Sequence, residues 1–286
     1  PFIYKGTPTG LYYLPAKIYN GTQAGAKLGY QVAVAGDLNA DGFEDFLLGA
    51  PYFDDAISNQ GIVYMYEGLI SGFPVTSSKL VLGNQTDAMF GSGITPIGDV
   101  NIDGYNDVLI SSPLYDNILI NAGKVQLYNG GEGDDALTLL NTYEGTQASA
   151  QFGFATGGYG DVNGDEIQDF AIGAPFNDNL YTDNGSVYLY YGSETVPISE
   201  DWRADGFTFN TQLGYSINIR GDYNGDGYND LAVTALNDEI DLNDEGLVNV
   251  YFGSIVGPGN FPSAAFSCQQ PLAKFGSSIE AGDINN

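Results

Sequence analysis

A stretch from Gly36 to Pro51, GDLNADGFEDFLLGAP, recurs from Gly98 as GDVNIDGYNDVLISSP, from Gly160 as GDVNGDEIQDFAIGAP and from Gly221 as GDYNGDGYNDLAVTAL. A fifth start, GDINN, stands at Gly282. The Gly-Asp pairs lie 62, 62, 61 and 61 residues apart. Whatever one period folds into, the chain builds it again and packs the copies side by side. Each copy joins a row of oxygen-bearing side chains at alternate positions to a short apolar run of strand length.

Two markers travel with the period. Leu28-Gly29, Phe90-Gly91, Phe152-Gly153, Leu213-Gly214 and Phe275-Gly276 precede the acidic stretch, and alternating runs that open at Gly61, Gly123, Gly185 and Gly246 follow it. One period therefore reads as four strands. In the first, strand A covers about 28–35, strand B about 46–50, strand C starts at Gly61, and strand D covers about 79–82. Val, Ile, Tyr and Phe dominate these runs, as a half-buried pleated surface favours. No stretch sustains a 3.6-residue period, so very little helix is expected.

Four antiparallel strands every ~60 residues describe the blade of a β-propeller. A tandem of β-sandwiches needs about 100 residues per unit, and β-helix coils are much shorter than this period. The expected fold is all-β, a propeller of four-stranded antiparallel blades. Residues 1–27 supply the last strand of a preceding blade, 28–89, 90–151, 152–212 and 213–274 are full blades, and 275–286 begin the next. Four full blades and a split one could close, but with the last motif cut short the expectation is a segment of a larger propeller.

Composition narrows the function. With 36 acidic and 8 basic side chains the net charge is −28, a field that repels nucleic-acid phosphates and anionic membrane surfaces and attracts divalent cations. The absence of histidine removes Ser-His-Asp and Cys-His catalysis and histidine-ligated zinc from this segment. Cys268 is the only cysteine, so no internal disulfide forms, and it reads as a small apolar residue. No apolar run approaches the roughly 20 residues of a membrane span. Sequons at Asn20, Asn84 and Asn184 lend modest support to a secreted or cell-surface location.

The acidic stretch has the form Asp-x-Asn-x-Asp-Gly-x-x-Asp. It offers side-chain oxygens at positions 1, 3, 5 and 9 and a carbonyl at 7, which suits the six to eight oxygens of Ca²⁺ once water is added. The candidate ligands are Asp37, Asn39, Asp41, the Phe43 carbonyl and Asp45; Asp99, Asn101, Asp103, the Tyr105 carbonyl and Asp107. They continue with Asp161, Asn163, Asp165, the Ile167 carbonyl and Asp169, and with Asp222, Asn224, Asp226, the Tyr228 carbonyl and Asp230. In the third loop Glu166 replaces the glycine of position 6, where positive φ is expected, and the sequence leaves open whether it weakens the site or adds an oxygen. Position 12 holds Leu48, Ile110, Ile172 and Val233, so this is not an EF-hand. Mg²⁺ keeps more water than such a loop allows. The competing interpretation is a metal-free Asx-rich hairpin turn. Three carboxylates in every copy exceed what a turn requires.

Phe-Gly or Leu-Gly, the acidic loop and Gly-Ala-Pro together resemble the FG-GAP repeat of integrin α-subunit head domains. Gly49-Ala50-Pro51 and Gly173-Ala174-Pro175 match fully, while Ser111-Ser112-Pro113 and Thr234-Ala235-Leu236 are degenerate. The resemblance implies a seven-bladed propeller with calcium in the A–B hairpin loops of one face. Strand geometry puts the B–C loops on the other face, where Tyr52, Phe53, Tyr115 and Phe176 stand beside acidic residues. These suit a protein or glycan partner, unless the rings simply plug the blade ends. No nucleophile motif or phosphate-binding glycine loop is present, so no catalysis is expected. The function expected is an extracellular, calcium-stabilised propeller for adhesion or protein interaction. The alternatives are an accessory propeller of a secreted hydrolase, phospholipase-like, and a self-assembling subunit of a surface coat or filament.

Overall fold

The computed structural model describes residues 1–70, 72–196, 199–238 and 244–282. Four of its six sheets have four strands, each meandering in chain order. The first joins β5 (Val32–Gly36), β6 (Asp45–Ala50), β7 (Ile62–Tyr66) and β8 (Lys79–Leu82), following four short strands, β1 (Phe2–Ile3), β2 (Gly6–Thr7), β3 (Gly10–Leu11) and β4 (Lys17–Ile18). The second holds β9 (Gly93–Gly98), β10 (Asp107–Ser112), β11 (Lys124–Asn129) and β12 (Thr138–Glu144). The third holds β13 (Ala155–Gly160), β14 (Asp169–Ala174), β15 (Ser186–Tyr190) and β16 (Trp202–Asp205). The fourth holds β17 (Leu213–Gly221), β18 (Asp230–Ala235), β19 (Leu247–Tyr251) and β20 (Ala264–Phe266). Every pairing within them is antiparallel. One 3-10 turn, Gly133–Asp135, is the only helical element among the described residues.

The first strands of the blades are innermost. β9 packs between β5 and β13, and β13 packs on β17, so these strands gather around one axis. Val32 and Val34, both exposed, face an axial cavity of about 370 Å³ together with Ile94, Pro96 and Arg220. The second and third strands carry the core. β10, β14 and β18 are buried along their whole length. Such strands lie between neighbouring blades on both faces, which is why they read as continuous apolar runs and not as alternation.

The two glycine markers meet across the blade seams. A Cβ on Gly49 would stand 2.1 Å from the carbonyl oxygen of Gly91 in the next blade, and one on Gly173 would stand 2.2 Å from that of Gly214. Gly91 itself has φ of 80°, a region costly for a side chain. The same turn shortens the inner strand. The sequence places strand A from 28, but β5 begins at Val32, because Lys27 and Gly29 both take positive φ and Gly29 donates instead to the Gly49 carbonyl. Residues 1–27 also hold a pairing that the sequence did not reveal, β1 against β4.

Candidate functional site

Each acidic loop connects the first two strands of a blade, and all four fold alike. In the first, Asp37 accepts the Asp41 N–H at 3.1 Å on Oδ1 and the Gly42 N–H at 2.8 Å on Oδ2. Asn39 Oδ1 accepts the Asp41 N–H at 3.0 Å, and Asp41 Oδ1 accepts the Phe43 N–H at 2.9 Å. The same bonds recur around Asp99, Asn101 and Asp103 with Tyr105, around Asp161, Asn163 and Asp165 with Ile167, and around Asp222, Asn224 and Asp226 with Tyr228.

The ninth residue behaves differently from the first five. Asp45, Asp107, Asp169 and Asp230 are fully buried at the start of the second strand. Asp45 accepts the Leu38 N–H at 2.9 Å and the Gly68 N–H at 2.8 Å, so it clasps its own loop to the segment after the third strand. Asp107, Asp169 and Asp230 make the equivalent pairs. Burial raises their pKa, to about 6 for Asp45, about 7 for Asp107 and about 8 for Asp169, and upward for Asp230. The accepted N–H groups oppose that rise, and the carboxylates at positions 1 and 5 add to it.

Position 6 is left-handed in every loop. Gly42, Gly104 and Gly227 have φ of 88°, 91° and 94°, and Glu166 follows at 70°. The Glu166 N–H still reaches Asp161 Oδ2 at 2.9 Å, so the third loop keeps its hydrogen bonds despite the non-glycine residue.

The loops are also seams between blades. Leu38, Val100 and Val162, at position 2, are fully buried, and their carbonyls accept N–H groups of the next blade from Gly131, Ser193 and Ser254 at 2.8, 2.9 and 3.0 Å. At position 8, Asn106 Nδ2 donates to the Asp37 carbonyl at 3.3 Å, and Asn229 Oδ1 accepts the Asp161 N–H at 2.8 Å. Sequence reasoning passed over both positions. An apolar residue inside an otherwise polar loop was the signal for the first.

Among the described residues no three His, Cys, Asp or Glu side chains stand together as a formed metal cluster. The loop oxygens face the loop's own N–H groups. Each oxygen of Asp37 and Asp45 accepts one hydrogen bond, whereas a carboxylate has about four acceptor sites. The donor set of carboxylates, amide and carbonyl within nine residues fits a hard cation.

On the opposite face, Tyr52, Phe53, Tyr115 and Phe176 are half-buried. Phe53 packs edge-on against Tyr64 and Phe176 against Phe154, while Lys27 lies over Tyr52 and Lys124 over Tyr115. The neighbouring acids are loop staples. Asp54, Asp116 and Asp178 accept the N–H of Asn59, Asn121 and Asp183, each at 2.7 Å. Gln23, Gln85 and Gln147 bind both the N–H and the carbonyl of those aspartates from the preceding D–A loop. The exposed apolar residues sit at the loop tips instead: Ile118 is 97% exposed, Leu180 80% and Phe209 67%. In the fourth blade Glu239 lies outside the described residues, as do the last four residues of the GDINN copy.

The sequons part company. Asn20 and Asn84 are exposed. Asn184 is fully buried, its Nδ2 donating to the Gly206 carbonyl at 2.8 Å and its Oδ1 accepting the Asn179 N–H at 3.0 Å. A glycan on Asn184 is incompatible with this fold, which corrects the sequence expectation there. Among the described residues, no helix is long and apolar enough to cross a membrane.

Comparison with known proteins bears on the repeat. The family model described as FG-GAP repeat matches residues 28–66 and 152–190. Integrin alpha-2 of Bos taurus is 37% identical over 164 residues, covering 54% of this chain and 13% of that protein. Integrin alpha-V of Gallus gallus is 34% identical over 221 residues (73% and 20%), and integrin alpha-PS2 of Drosophila melanogaster 31% over 222 (73% and 15%). The matches thus span no more than a fifth of these relatives' length. Among solved structures, that of an exotype rhamnogalacturonan lyase aligns with a TM-score of 0.45 at 13% identity, covering 90% of this chain and 48% of that one. Meandering four-stranded blades, seams closed by the Phe-Gly and Gly-Ala-Pro glycines, the FG-GAP match and the integrin relatives together make the chain an FG-GAP-repeat β-propeller that resembles the integrin α-subunit head.

Proposed function

We propose that this propeller is an extracellular, calcium-stabilised recognition module for adhesion or protein–protein interaction, with no catalysis of its own. The observation that carries the proposal is the repeated loop, which spaces carboxylates at positions 1, 5 and 9, buries the ninth, and in the first three blades hydrogen-bonds its second residue to the next blade. Residues of positions 1, 3, 5 and 9 and the carbonyl of position 7 would hold the ion. Calcium supplies the positive charge that offsets the buried ninth carboxylate and the repulsion from positions 1 and 5. Because Leu38, Val100 and Val162 carry the seam bonds from inside these loops, a loop held in shape keeps adjoining blades in contact.

Recognition falls to the opposite face in this reading. Ile118 and Ile120, Leu180 and Tyr181, and Phe207 and Phe209 expose apolar side chains from neighbouring B–C and D–A loops. An exposed apolar group of this size suits a protein surface. Similarity to integrin α-subunits supports a protein partner and an extracellular setting.

A thermal melt in calcium and in chelator tests the metal. The expected result is a large fall in Tm on chelation, restored by calcium and not by magnesium. An unchanged Tm would reduce the loops to metal-free turns and remove the reading.

A further inference from the structure

Lys124 serves neither the acidic loops nor the exposed loop tips. It opens β11 and is only 3% exposed, an unusual place for an ammonium group. The equivalent residues of the other blades are Ile62, Ser186 and Leu247. Its Nζ lies 3.6 Å from the centroid of the Tyr115 ring and donates to Asn84 Oδ1 at 2.9 Å. Asn84 is particular to this seam as well, since Thr22 and Thr146 hold its place in the neighbouring periods. Directly across the ladder, Lys124 is in register with Glu144, whose Oε2 accepts from Asn117 Nδ2 at 3.2 Å. A buried amine and a carboxamide in contact with it thus meet at the seam of the first two blades, with an exposed carboxylate on the strand paired to that of the amine.

We propose that Lys124 and Asn84 join in an intramolecular amide cross-link. The Nζ lone pair attacks Cγ of Asn84, the new C–N bond forms, the Cγ–Nδ2 bond breaks, and ammonia leaves. Glu144 takes the proton from Nζ and delivers it to the departing nitrogen. Nothing is oxidised or reduced, and no co-reactant is needed. Burial lowers the Lys124 pKa to about 8, against the opposing pull of Glu144, and so enriches the free amine that must attack. The hydrogen bond holds amine and carboxamide side by side, and such proximity replaces a bimolecular encounter. The link fastens the D–A loop that ends the first blade to the third strand of the second. It also consumes the side-chain nitrogen that a glycan on Asn84 would need.

Intact-mass measurement of the folded chain tests this. The expected mass is that of the sequence less one ammonia, with a proteolytic digest yielding a branched peptide that joins the Lys124 and Asn84 segments. Lys124→Arg should restore the full sequence mass, and Glu144→Gln should do so with the fold intact by circular dichroism. The sequence mass in the wild-type chain, or a glycan on Asn84, would overturn the proposal. An ammonia loss without the branched peptide would overturn it too, because a succinimide at an Asn-Gly pair such as Asn129-Gly130 gives the same mass. A Glu144→Gln chain that keeps the full ammonia loss would refute the proton transfer through Glu144.

Discussion

The two loop faces use the same residue types for different ends. On one face Asp37 accepts N–H groups four and five residues on; on the other Asp54 accepts one five residues on. Taken singly, the two carboxylates look alike. What separates the faces is density and burial. An A–B loop gathers at least three carboxylates in nine residues and hides the ninth-position one completely, whereas a B–C loop commits one exposed aspartate, stitched by a glutamine. An aspartate at a repeated position is therefore weak grounds for a metal site. A buried carboxylate, its pKa raised by burial and further by the acids beside it, is stronger, because a cation would offset both effects.

The sharpest way to break this comparison is to withdraw calcium. At about ten times its Kd each ion contributes about 1.4 kcal/mol, so four sites lose roughly 5–6 kcal/mol on chelation if they act independently. Denaturant titration with and without chelator checks the figure, and variants of the B–C loops should leave the difference unchanged.

Next in size is a pH effect confined to the metal-free protein. The buried aspartates have folded pKa values above the ordinary 3.8, so they favour the fold when protonated. Their contribution is complete below about pH 4 and is lost as pH rises through about 6, 7 and 8. Stability in chelator should fall across that window and level off when calcium is added. A chelated protein that gains stability from pH 5 to 8 would contradict the assignment.

The opposite face gives a smaller, calcium-independent effect. Gln147→Ala removes the bonds to the Asp178 carbonyl and N–H. At about 1 kcal/mol each the loss is about 2 kcal/mol, identical with and without chelator, and readable as a shift in urea midpoint. Smaller still, Glu166→Gly should stabilise the third loop by about 1 kcal/mol, since a side chain at left-handed φ costs about that much. Calcium titration of the same variant shows whether Glu166 contributes an oxygen: affinity falls if it does.

Much of the fold was legible because the repeat samples it four times. The loop residues, the B and C strands and the ten-residue B–C loops stand in register in the sequence, and periodic turn and strand chemistry is local. Less legible was what one blade does to the next. The glutamine staples pair residues 31 apart across a blade seam, as Gln23 does with Asp54, and nothing near either residue announces the bond. The aromatic residues of the B–C loops drew attention as a partner surface, yet Phe53 and Phe176 pack inward and leave exposure to Ile118, Leu180 and Phe209. Asn184 carries a sequon in the sequence and two buried hydrogen bonds in the fold.

The amino-acid order by itself determined the blade, its strand count and the oxygen-rich loop, because backbone turns, strand pairing and ligand spacing depend on residues within one period. Only the tertiary structure decided which of those residues are buried. The ninth aspartate becomes a raised, enclosed carboxylate, and Lys124 an enclosed amine against Asn84, through surfaces brought together from distant parts of the chain. Desolvation depends on everything packed around a group, and that is a property of the assembled blades.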